Sequence, residues 1–290
     1  MSKIAYVNGR YLPQPEAAVN IEDRGYQFGD GIYEVVHLYD GRYVDEDLHL
    51  SRLERSLKEI RLPMPMSRAA LRLVLREVAR RNRVTEGLLY MQVSRGVARR
   101  DHPFPKTPVP PALVVTVKRT APYPTDIDKW QSACITLPDL RWARRDIKSV
   151  NLLPNVLAKQ AAREKGCIEA ILYDETTGIV NEGSSTTFWI VDAKGAIRTR
   201  FQDHVILPGC TRLALMAELK AAGIPWDETP FTLDDVRQAR EAFITSATSF
   251  VRPITKIDDA PVGDGQVGPV VRRLFDLFAR HVKGDLRNAA

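Results

Sequence analysis

Five short segments of the sequence contain isolated charged and hydroxyl residues among apolar neighbours. Two of them carry side chains with a direct chemical use. Lys148 carries an amine, and a lysine amine acts as a nucleophile and a base where its surroundings favour the neutral form. Thr211 opens an expected helix, and the free N–H groups at a helix N-terminus bind phosphate. The segments, in chain order, are 23–34, 141–149, 181–185, 206–212 and 244–249.

The same residues also have ordinary structural explanations. Lys148 is one of 12 lysines, and most lysines of a folded protein lie on its surface. The run Glu182-Gly-Ser-Ser is typical of a turn, and Thr211 is typical of a helix cap. Residue types alone therefore leave a surface lysine, a turn and a cap open beside the chemical interpretation.

Three other patterns resemble functional motifs but favour structure. The run Gly263-Asp-Gly-Gln-Val-Gly268 is followed by Pro269; a dinucleotide site needs a strand before such glycines and a second strand after the helix. We expect a turn there. The five histidines lack metal-ligand spacing, so no metal site is expected. The basic run Arg80-Arg81-Asn82-Arg83 is expected to end a helix, where cations complement the helix dipole.

The composition is that of a globular protein. Of 290 residues, 44% are hydrophobic and 27% charged, which excludes a disordered or collagen-like chain. Arginine supplies 30 of the 42 basic residues; its planar fork suits carboxylates and phosphates, although an arginine-rich proteome also explains the excess. Three cysteines are too few for a disulfide framework. Without an apolar run of about 20 residues or a signal peptide, we expect a soluble cytoplasmic protein.

The elements that must position these side chains alternate between hairpins and helices in the first 120 residues. Asn8-Gly9 and Asp40-Gly41 predict tight hairpin turns. Apolar residues recur at helical spacing through Leu50–Ile60 and again after Ser67. The predicted strands are 4–7, 10–12, 32–39, 42–44, 88–93 and 112–117.

A polar stretch with Pro122 and Pro124 follows and is the best candidate for a linker. Beyond it, we predict strands at 134–137, 170–173, 186–191 and 243–245, with helices at 151–165 and 211–222 and an amphipathic helix near the end of the chain. The sequence thus predicts an α+β protein with two domains, 1–121 and 122–290.

In this order, the five segments resemble those of the fold-type-IV pyridoxal-phosphate enzymes, which include D-amino acid aminotransferases, branched-chain aminotransferases and aminodeoxychorismate lyases. The resemblance covers nearly the whole chain. It implies a smaller N-terminal α/β domain that binds phosphate and the substrate carboxylate. It also implies a larger C-terminal domain with a β-barrel-like core and the cofactor lysine.

The resemblance assigns roles to individual residues. Lys148 matches the catalytic lysine that forms a Schiff base with pyridoxal 5′-phosphate, and Glu182 matches the carboxylate on the pyridine nitrogen. Arg52 matches the phosphate-binding arginine, and Leu207 the apolar residue against the ring. The implied cofactor-binding residues are Arg52, Glu182, Leu207, Cys210, Thr211, Ala247 and Thr248; Arg141, Ser184 and Ser185 are expected behind them.

The substrate side is most similar to the D-amino acid aminotransferases. Arg100-Asp101-His102 resembles the R-x-H element that, with a strand tyrosine (here Tyr33), holds the substrate carboxylate. In that family the arginine and histidine come from the partner subunit, which implies a homodimer with a shared site. Alternation along an extended segment places Arg100 and His102 on one side and Asp101 on the other.

The implied reaction is transamination of D-amino acids, such as D-alanine with 2-oxoglutarate to give pyruvate and D-glutamate. A branched-chain L-amino acid aminotransferase and an aminodeoxychorismate lyase share the cofactor site and remain alternatives. A non-catalytic cofactor binder and a nucleic-acid binder are less favoured. We expect D-amino acids, 2-oxo acids and a second copy of the chain as partners, and neither nucleic acid nor membrane.

Overall fold

The computed structural model of the protein describes residues 3–284. The chain forms two compact units. Unit 1 is the chain up to Pro122 with Ile147–Asn151, and unit 2 is Tyr123–Asp146 with the described residues from Leu152 onward. The chain first passes from unit 1 to unit 2 between Pro122 and Tyr123, within the predicted linker. The units differ from the two predicted domains in Ile147–Asn151, because the Tyr33 amide donates to the Lys148 carbonyl (3.1 Å) and ties that segment to unit 1. The two-domain boundary stays a prediction.

Unit 1 contains a six-stranded antiparallel sheet and three α-helices. The sheet order is β2-β1-β6-β5-β3-β4. Both predicted hairpin turns are present, because Asn8, Gly9, Asp40 and Gly41 all adopt positive φ. The strands are β1 Ile4–Val7, β2 Arg10–Pro13, β3 Gly31–Tyr39, β4 Arg42–Tyr43, β5 Gly87–Ser94 and β6 Ala112–Arg119, and the helices are α1 Arg24–Phe28, α2 Glu46–Glu59 and α3 Arg68–Asn82.

One face of this sheet forms the core of unit 1 with α2 and α3. Ile32 and Val36 of β3 pack there with Leu53 of α2 and Leu75 of α3, and all four are fully buried. Alternation along β3 also directs Glu34 to this inner face. A carboxylate in such a core requires partners that neutralise it.

Unit 2 contains a nine-stranded mixed sheet that curls into a half-barrel, in the order β12-β11-β10-β13-β14-β7-β8-β9 with β15 paired to β14. The strands are β7 Ser132–Pro138, β8 Glu169–Tyr173, β9 Val180–Gly183, β10 Thr187–Val191, β11 Ile197–Thr199, β12 Trp226–Asp227, β13 Glu241–Ser246, β14 Phe250–Ile257 and β15 Ala260–Pro261, and the helices are α4 Leu153–Glu164, α5 Cys210–Ala221, α6 Leu233–Arg237 and α7 Pro269–Lys283.

The predicted α+β class with a barrel-like second half is confirmed. The sequence analysis missed β9, β11 and β14; Pro253 lies inside β14 opposite Phe243, and a proline argues against a strand. The predicted turn at Gly263–Gly268 is confirmed, and Gly268 becomes the N-cap of α7. Within residues 3–284, no helix is both long and apolar enough to cross a membrane.

Candidate active site

Lys148 lies beside Tyr33 in unit 1. The lysine is half-buried, and its Nζ lies 4.2 Å from the centroid of the Tyr33 ring. Backbone contacts from β3 fix both residues, since Ile32 bridges Ser149 and the Val150 amide donates to the Gly31 carbonyl (3.1 Å). The structure therefore brings together the predicted catalytic lysine and one predicted substrate-binding residue.

The glycine-rich turn before β3 permits this close approach. Gly29 has a φ of 66°, and a Cβ at this position would lie 2.1 Å from Oδ1 of Asn151. The Asn151 side-chain amide donates to the Gly29 carbonyl (3.2 Å) and to Oγ of Ser149 (2.9 Å). A larger residue at position 29 would be strained at this positive φ and would displace the Asn151 side chain, which links the turn to the segment that carries Lys148.

Arg52, the predicted phosphate ligand, is held by a buried carboxylate. Its Nε and Nη2 donate to the two oxygens of Glu34 at 2.7 and 2.9 Å. Nδ1 of His49 lies 2.8 Å from Oε2 of the same glutamate. Burial alone would raise the pKa of Glu34, but Arg52 and His49 outweigh it and hold that pKa well below its usual range. Glu34 is therefore an ionised anchor for Arg52.

The sequence analysis included Glu34 in the segment 23–34 but gave it no role, and it missed His49. The sequence does contain a signal for Glu34. Glu34 lies two residues from both Ile32 and Val36 in a predicted strand, so its side chain points to the same face as theirs, into the core. His49 lies one helical turn before Arg52, which places both side chains on the same face of α2.

Arg100 and His102 lie together in an exposed loop of unit 1. The Arg100 guanidinium is 5.2 Å and the His102 ring 5.6 Å from the centroid of the Phe28 ring. The Asp101 carboxylate accepts from the His102 amide at 2.9 Å. Within residues 3–284, no hydrogen bond, ion pair or ring contact joins Arg100 or His102 to Lys148 or Tyr33.

Glu182 in unit 2 is another buried carboxylate. Arg141 donates from Nη1 to its Oε1 at 2.7 Å, and the Leu207 amide lies 3.2 Å from each carboxylate oxygen. Burial raises the pKa of Glu182, and the charge and hydrogen bonds of Arg141 offset this effect only in part. Three predicted residues, Glu182, Arg141 and Leu207, therefore meet at one point of unit 2.

Asp139 competes for the same arginine and was missed by the sequence analysis. Arg141 donates to Asp139 from Nε and Nη2 at 2.9 and 2.8 Å, and Asn181 donates to it at 3.0 Å. Burial would raise the pKa of Asp139, but the Arg141 contacts and the charge of Arg145, whose Nε lies 3.3 Å from Oδ2 of Asp139, lower it on balance. An acidic residue two positions before an arginine in a loop carries no sequence signal for such a pairing.

The N-terminus of α5 carries Cys210 and Thr211, which are both buried. Gly209 is the N-cap and provides no side-chain cap, so the first amides of the helix keep their capacity to bind an anion. A Cβ on Gly209 would lie 2.8 Å from Oγ1 of Thr187, which explains the glycine. This geometry suits the predicted phosphate-binding role of the segment.

The remaining predicted residues lie in two turns of unit 2. Ala247 and Thr248 occupy the β13–β14 turn, where Oγ1 of Thr248 lies 3.1 Å from Oγ of Ser246. Ser184 and Ser185 follow Glu182 in the chain and both donate to the buried Glu169 carboxylate. The two serines thus stabilise the turn after Glu182 through Glu169, a residue that the sequence analysis missed.

Comparison with known proteins identifies the family. The sequence matches the family "Amino-transferase class IV" over residues 31–257, so the chain belongs to this family of aminotransferases, and the fold-type-IV resemblance is confirmed. It is 39% identical over 277 residues to a D-alanine aminotransferase of Listeria monocytogenes, with 95% of each chain covered. It is 38% identical over 285 residues to a D-alanine aminotransferase of Staphylococcus aureus, covering 98% of this chain and 99% of the relative.

Solved structures share the fold over the same extent. The branched-chain amino acid aminotransferase of T.th., solved with pyridoxamine 5′-phosphate, has a TM-score of 0.87 and 26% identity, covering 98% of this chain and 95% of that one. A hypothetical aminotransferase from Mycobacterium tuberculosis, in a PLP-bound form, has a TM-score of 0.81 at 21% identity, with coverages of 97% and 99%. The second likeness concerns the fold alone.

Proposed function

We propose that this chain is a pyridoxal-phosphate-dependent aminotransferase of D-amino acids that converts D-alanine and 2-oxoglutarate to pyruvate and D-glutamate. The observation that carries the proposal is Glu182, a buried carboxylate whose arginine partner is shared with Asp139. Relatives at 38 and 39% identity over nearly the full chain are D-alanine aminotransferases, which supports the choice of substrate.

The residues present fit pyridoxal phosphate. The incompletely neutralised Glu182 suits a protonated ring nitrogen, and the uncapped first turn of α5 suits a phosphate. Leu207 supplies apolar surface for the ring, and Lys148 the amine for the covalent link. We assign Arg52, Cys210, Thr211, Ala247 and Thr248 to the phosphate end, with Arg141, Ser184 and Ser185 supporting Glu182 and its turn.

When bound, pyridoxal phosphate supplies an electron sink for the electron pair released at the substrate Cα. Nζ of Lys148, half-buried at the face of Tyr33, would take the proton from the substrate Cα and move it to the cofactor carbon, and would carry a proton the opposite way in the second half-reaction. Glu182 keeps the positive charge on the ring nitrogen, and Arg141 orients the Glu182 carboxylate for this contact.

The substrate carboxylate is assigned to Tyr33, Arg100 and His102. Arginine and histidine donate to a carboxylate, and arginine does so with two parallel hydrogen bonds. Because Arg100 and His102 are exposed, we propose that they serve the site of a second copy in a homodimer. The side from which they hold the carboxylate would select the D-enantiomer.

An absorbance titration of the purified protein tests this function. We expect a visible band from the lysine-linked cofactor that bleaches with D-alanine and persists with L-alanine. Lys148→Ala should abolish both the band and nearly all turnover, whereas Lys194→Ala, at an exposed lysine, should change neither. Turnover retained by Lys148→Ala would refute the assignment.

A branched-chain L-amino acid aminotransferase is the second candidate, favoured by the TM-score of 0.87 to the T.th. enzyme. Incubation with racemic leucine and racemic alanine, followed by chiral analysis of the residual amino acids, separates the two functions. If only L-leucine is consumed, the branched-chain L-amino acid aminotransferase replaces the D-alanine aminotransferase as the proposed function.

A further inference from the structure

A buried charge cluster lies beneath the loop of residues 99–104, here called the carboxylate loop. Asp30 accepts from Nε of Arg24 at 2.9 Å, and from Nε and Nη2 of Arg95 at 2.7 and 3.0 Å. The two arginine side chains are almost fully buried. Buried charges persist in a fold only when they are paired, so the contacts with Asp30 hold both arginines in the interior of unit 1.

Arg24 extends from this cluster to the backbone of the carboxylate loop. Its Nη1 donates to the Asp101 carbonyl at 2.6 Å and its Nη2 to the His102 carbonyl at 3.2 Å. Its guanidinium also lies 4.7 Å from the centroid of the Phe28 ring, the ring that Arg100 and His102 contact. All three donor nitrogens of Arg24 are therefore engaged.

Arg95 fixes the cluster from the other side. It donates to the Ile60 carbonyl at 2.7 Å and to the Arg61 carbonyl at 3.2 Å, after the end of α2. Its guanidinium also lies 3.7 Å from the centroid of the Phe104 ring. The cluster thus ties the carboxylate loop to the packed part of unit 1.

The carboxylate loop has little else to hold it. It contains no helix or strand, and its residues are exposed. In the described chain, hydrogen bonds to its backbone come from Arg24 and from the loop's own Asp101. A segment with so few bonds loses its conformation when they are removed.

We propose that Arg24 is a positioning residue for substrate binding: by fixing the Asp101 and His102 carbonyls, it aims the Arg100 and His102 side chains at the substrate carboxylate. The inference rests on the proposed role of Arg100 and His102. Arg24 does not touch substrate; it acts through the loop. Its loss should therefore weaken substrate binding and leave the cofactor and the proton transfer by Lys148 in place.

Arg24→Met tests the proposal, because Met keeps the length of the side chain and Asp30 keeps Arg95 as a partner. Removal of hydrogen bonds from a charged donor weakens the positioning of the loop. We therefore expect KM for D-alanine and for 2-oxoglutarate to rise about tenfold. The value of kcat and the affinity for pyridoxal phosphate should change little. Trypsin should cut the native protein faster after Arg99 or Arg100, a readout independent of activity.

Two further variants separate the possible failures. Arg80→Met, at an exposed arginine of α3, is the control and should change neither KM nor cleavage. Arg100→Lys should raise KM without faster cleavage; an unchanged KM there refutes the carboxylate assignment itself. If Arg100→Lys raises KM while Arg24→Met alters neither KM nor cleavage, the positioning role is wrong.

Arg24→Lys carries the test if Arg24→Met does not fold. Lysine keeps the charge beside Asp30 but cannot donate in three directions of one plane. We expect a smaller rise in KM and a smaller increase in cleavage after Arg99. Wild-type values for both quantities would overturn the proposal.

Discussion

Glu34 of unit 1 and Glu182 of unit 2 are two buried carboxylates with opposite electrostatics. Both are almost fully inaccessible, at 0% and 4% exposure, and each accepts from an arginine. Yet the surroundings lower the pKa of Glu34 and raise that of Glu182. Glu34 accepts from two nitrogens of Arg52 and lies beside the ring of His49. Glu182 accepts from one nitrogen of Arg141 and from the Leu207 amide, while the other two donor nitrogens of Arg141 serve Asp139.

This difference is the basis on which we propose a structural role for Glu34 and a cofactor-binding role for Glu182. Glu34 is fully neutralised by residues of its own unit, so it can anchor Arg52 but has no need of a ligand's charge. Glu182 is incompletely neutralised, so a positively charged ring nitrogen would stabilise it. Burial is the largest cause of the raised pKa of Glu182, and Arg141 offsets it only in part. The uncompensated cost of the negative charge is the property on which we base the pairing of Glu182 with a cationic ring nitrogen.

The largest expected effect is on turnover. Glu182→Gln removes the negative charge that would hold the ring nitrogen protonated, and loss of such an electrostatic contact lowers kcat by about 10²–10³-fold. Glu34→Gln should instead weaken the affinity for pyridoxal phosphate, because Arg52 loses its anchor. Steady-state kinetics at saturating cofactor measure both; equal losses of kcat in the two variants would contradict the distinction.

The next largest effect is on stability, where Glu34→Gln should be more damaging than Glu182→Gln. Removing one partner of a buried ion pair costs about 3–5 kcal/mol, so Glu34→Gln should lower the free energy of unfolding by roughly the lower end of that range. Glu182→Gln should cost at most about 1 kcal/mol, because Arg141 keeps Asp139 and because the raised pKa of Glu182 means that its charged form is already penalised by folding. Urea unfolding of the cofactor-free variants gives both values. A larger loss for Glu182→Gln would mean that Glu182 is the structural member.

The sequence predicted one member of each interacting pair in this comparison, but not the partner that it contacts. The resemblance indicated Lys148, Glu182, Arg52 and Arg141, because their motifs are local runs of sequence. It did not indicate Glu34, Asp139 or Arg24. Arg52 meets Glu34 across 18 positions and Arg24 meets Asp101 across 77, and such pairings depend on register and loop path that no local pattern specifies.

The same limit applied to the strands. Strands with alternating or continuous apolar residues, such as β3 and β10, were predicted to within one residue of their ends. β9 was missed because its sequence Val-Asn-Glu-Gly lacks both patterns, although all four residues are buried. Burial of Asn181 and Glu182 is offset by contacts with Asp139 and Arg141, partners that the strand itself does not contain.

A smaller effect is the dependence of stability on pH. The pKa of Glu34 is lowered on folding, so its contribution is present above the ordinary value of 4.5 and is lost as the pH falls below it. The pKa of Glu182 is raised, so its contribution is present below 4.5 and is lost as the pH rises through the folded-state value. For each Gln variant, the quantity to measure is the free energy of unfolding of the cofactor-free wild type minus that of the variant. This difference should rise with pH for Glu34→Gln and fall with pH for Glu182→Gln. Slopes of the same sign would remove the basis of the comparison.

The smallest effect is that of Asp139→Asn, which probes the cause of the raised pKa of Glu182. The negative charge of Asp139 adds to burial in raising that pKa, and Asp139 also occupies two nitrogens of Arg141. Its neutral variant should let Glu182 ionise more readily, so the loss of stability with rising pH becomes shallower while kcat changes little. Asp203→Asn, which removes a charge paired with Arg200 instead, is the matched control and should keep the wild-type slope. A steeper slope in Asp139→Asn would show that Asp139 helps Glu182 to ionise, and the raised pKa of Glu182 would then have to come from burial alone.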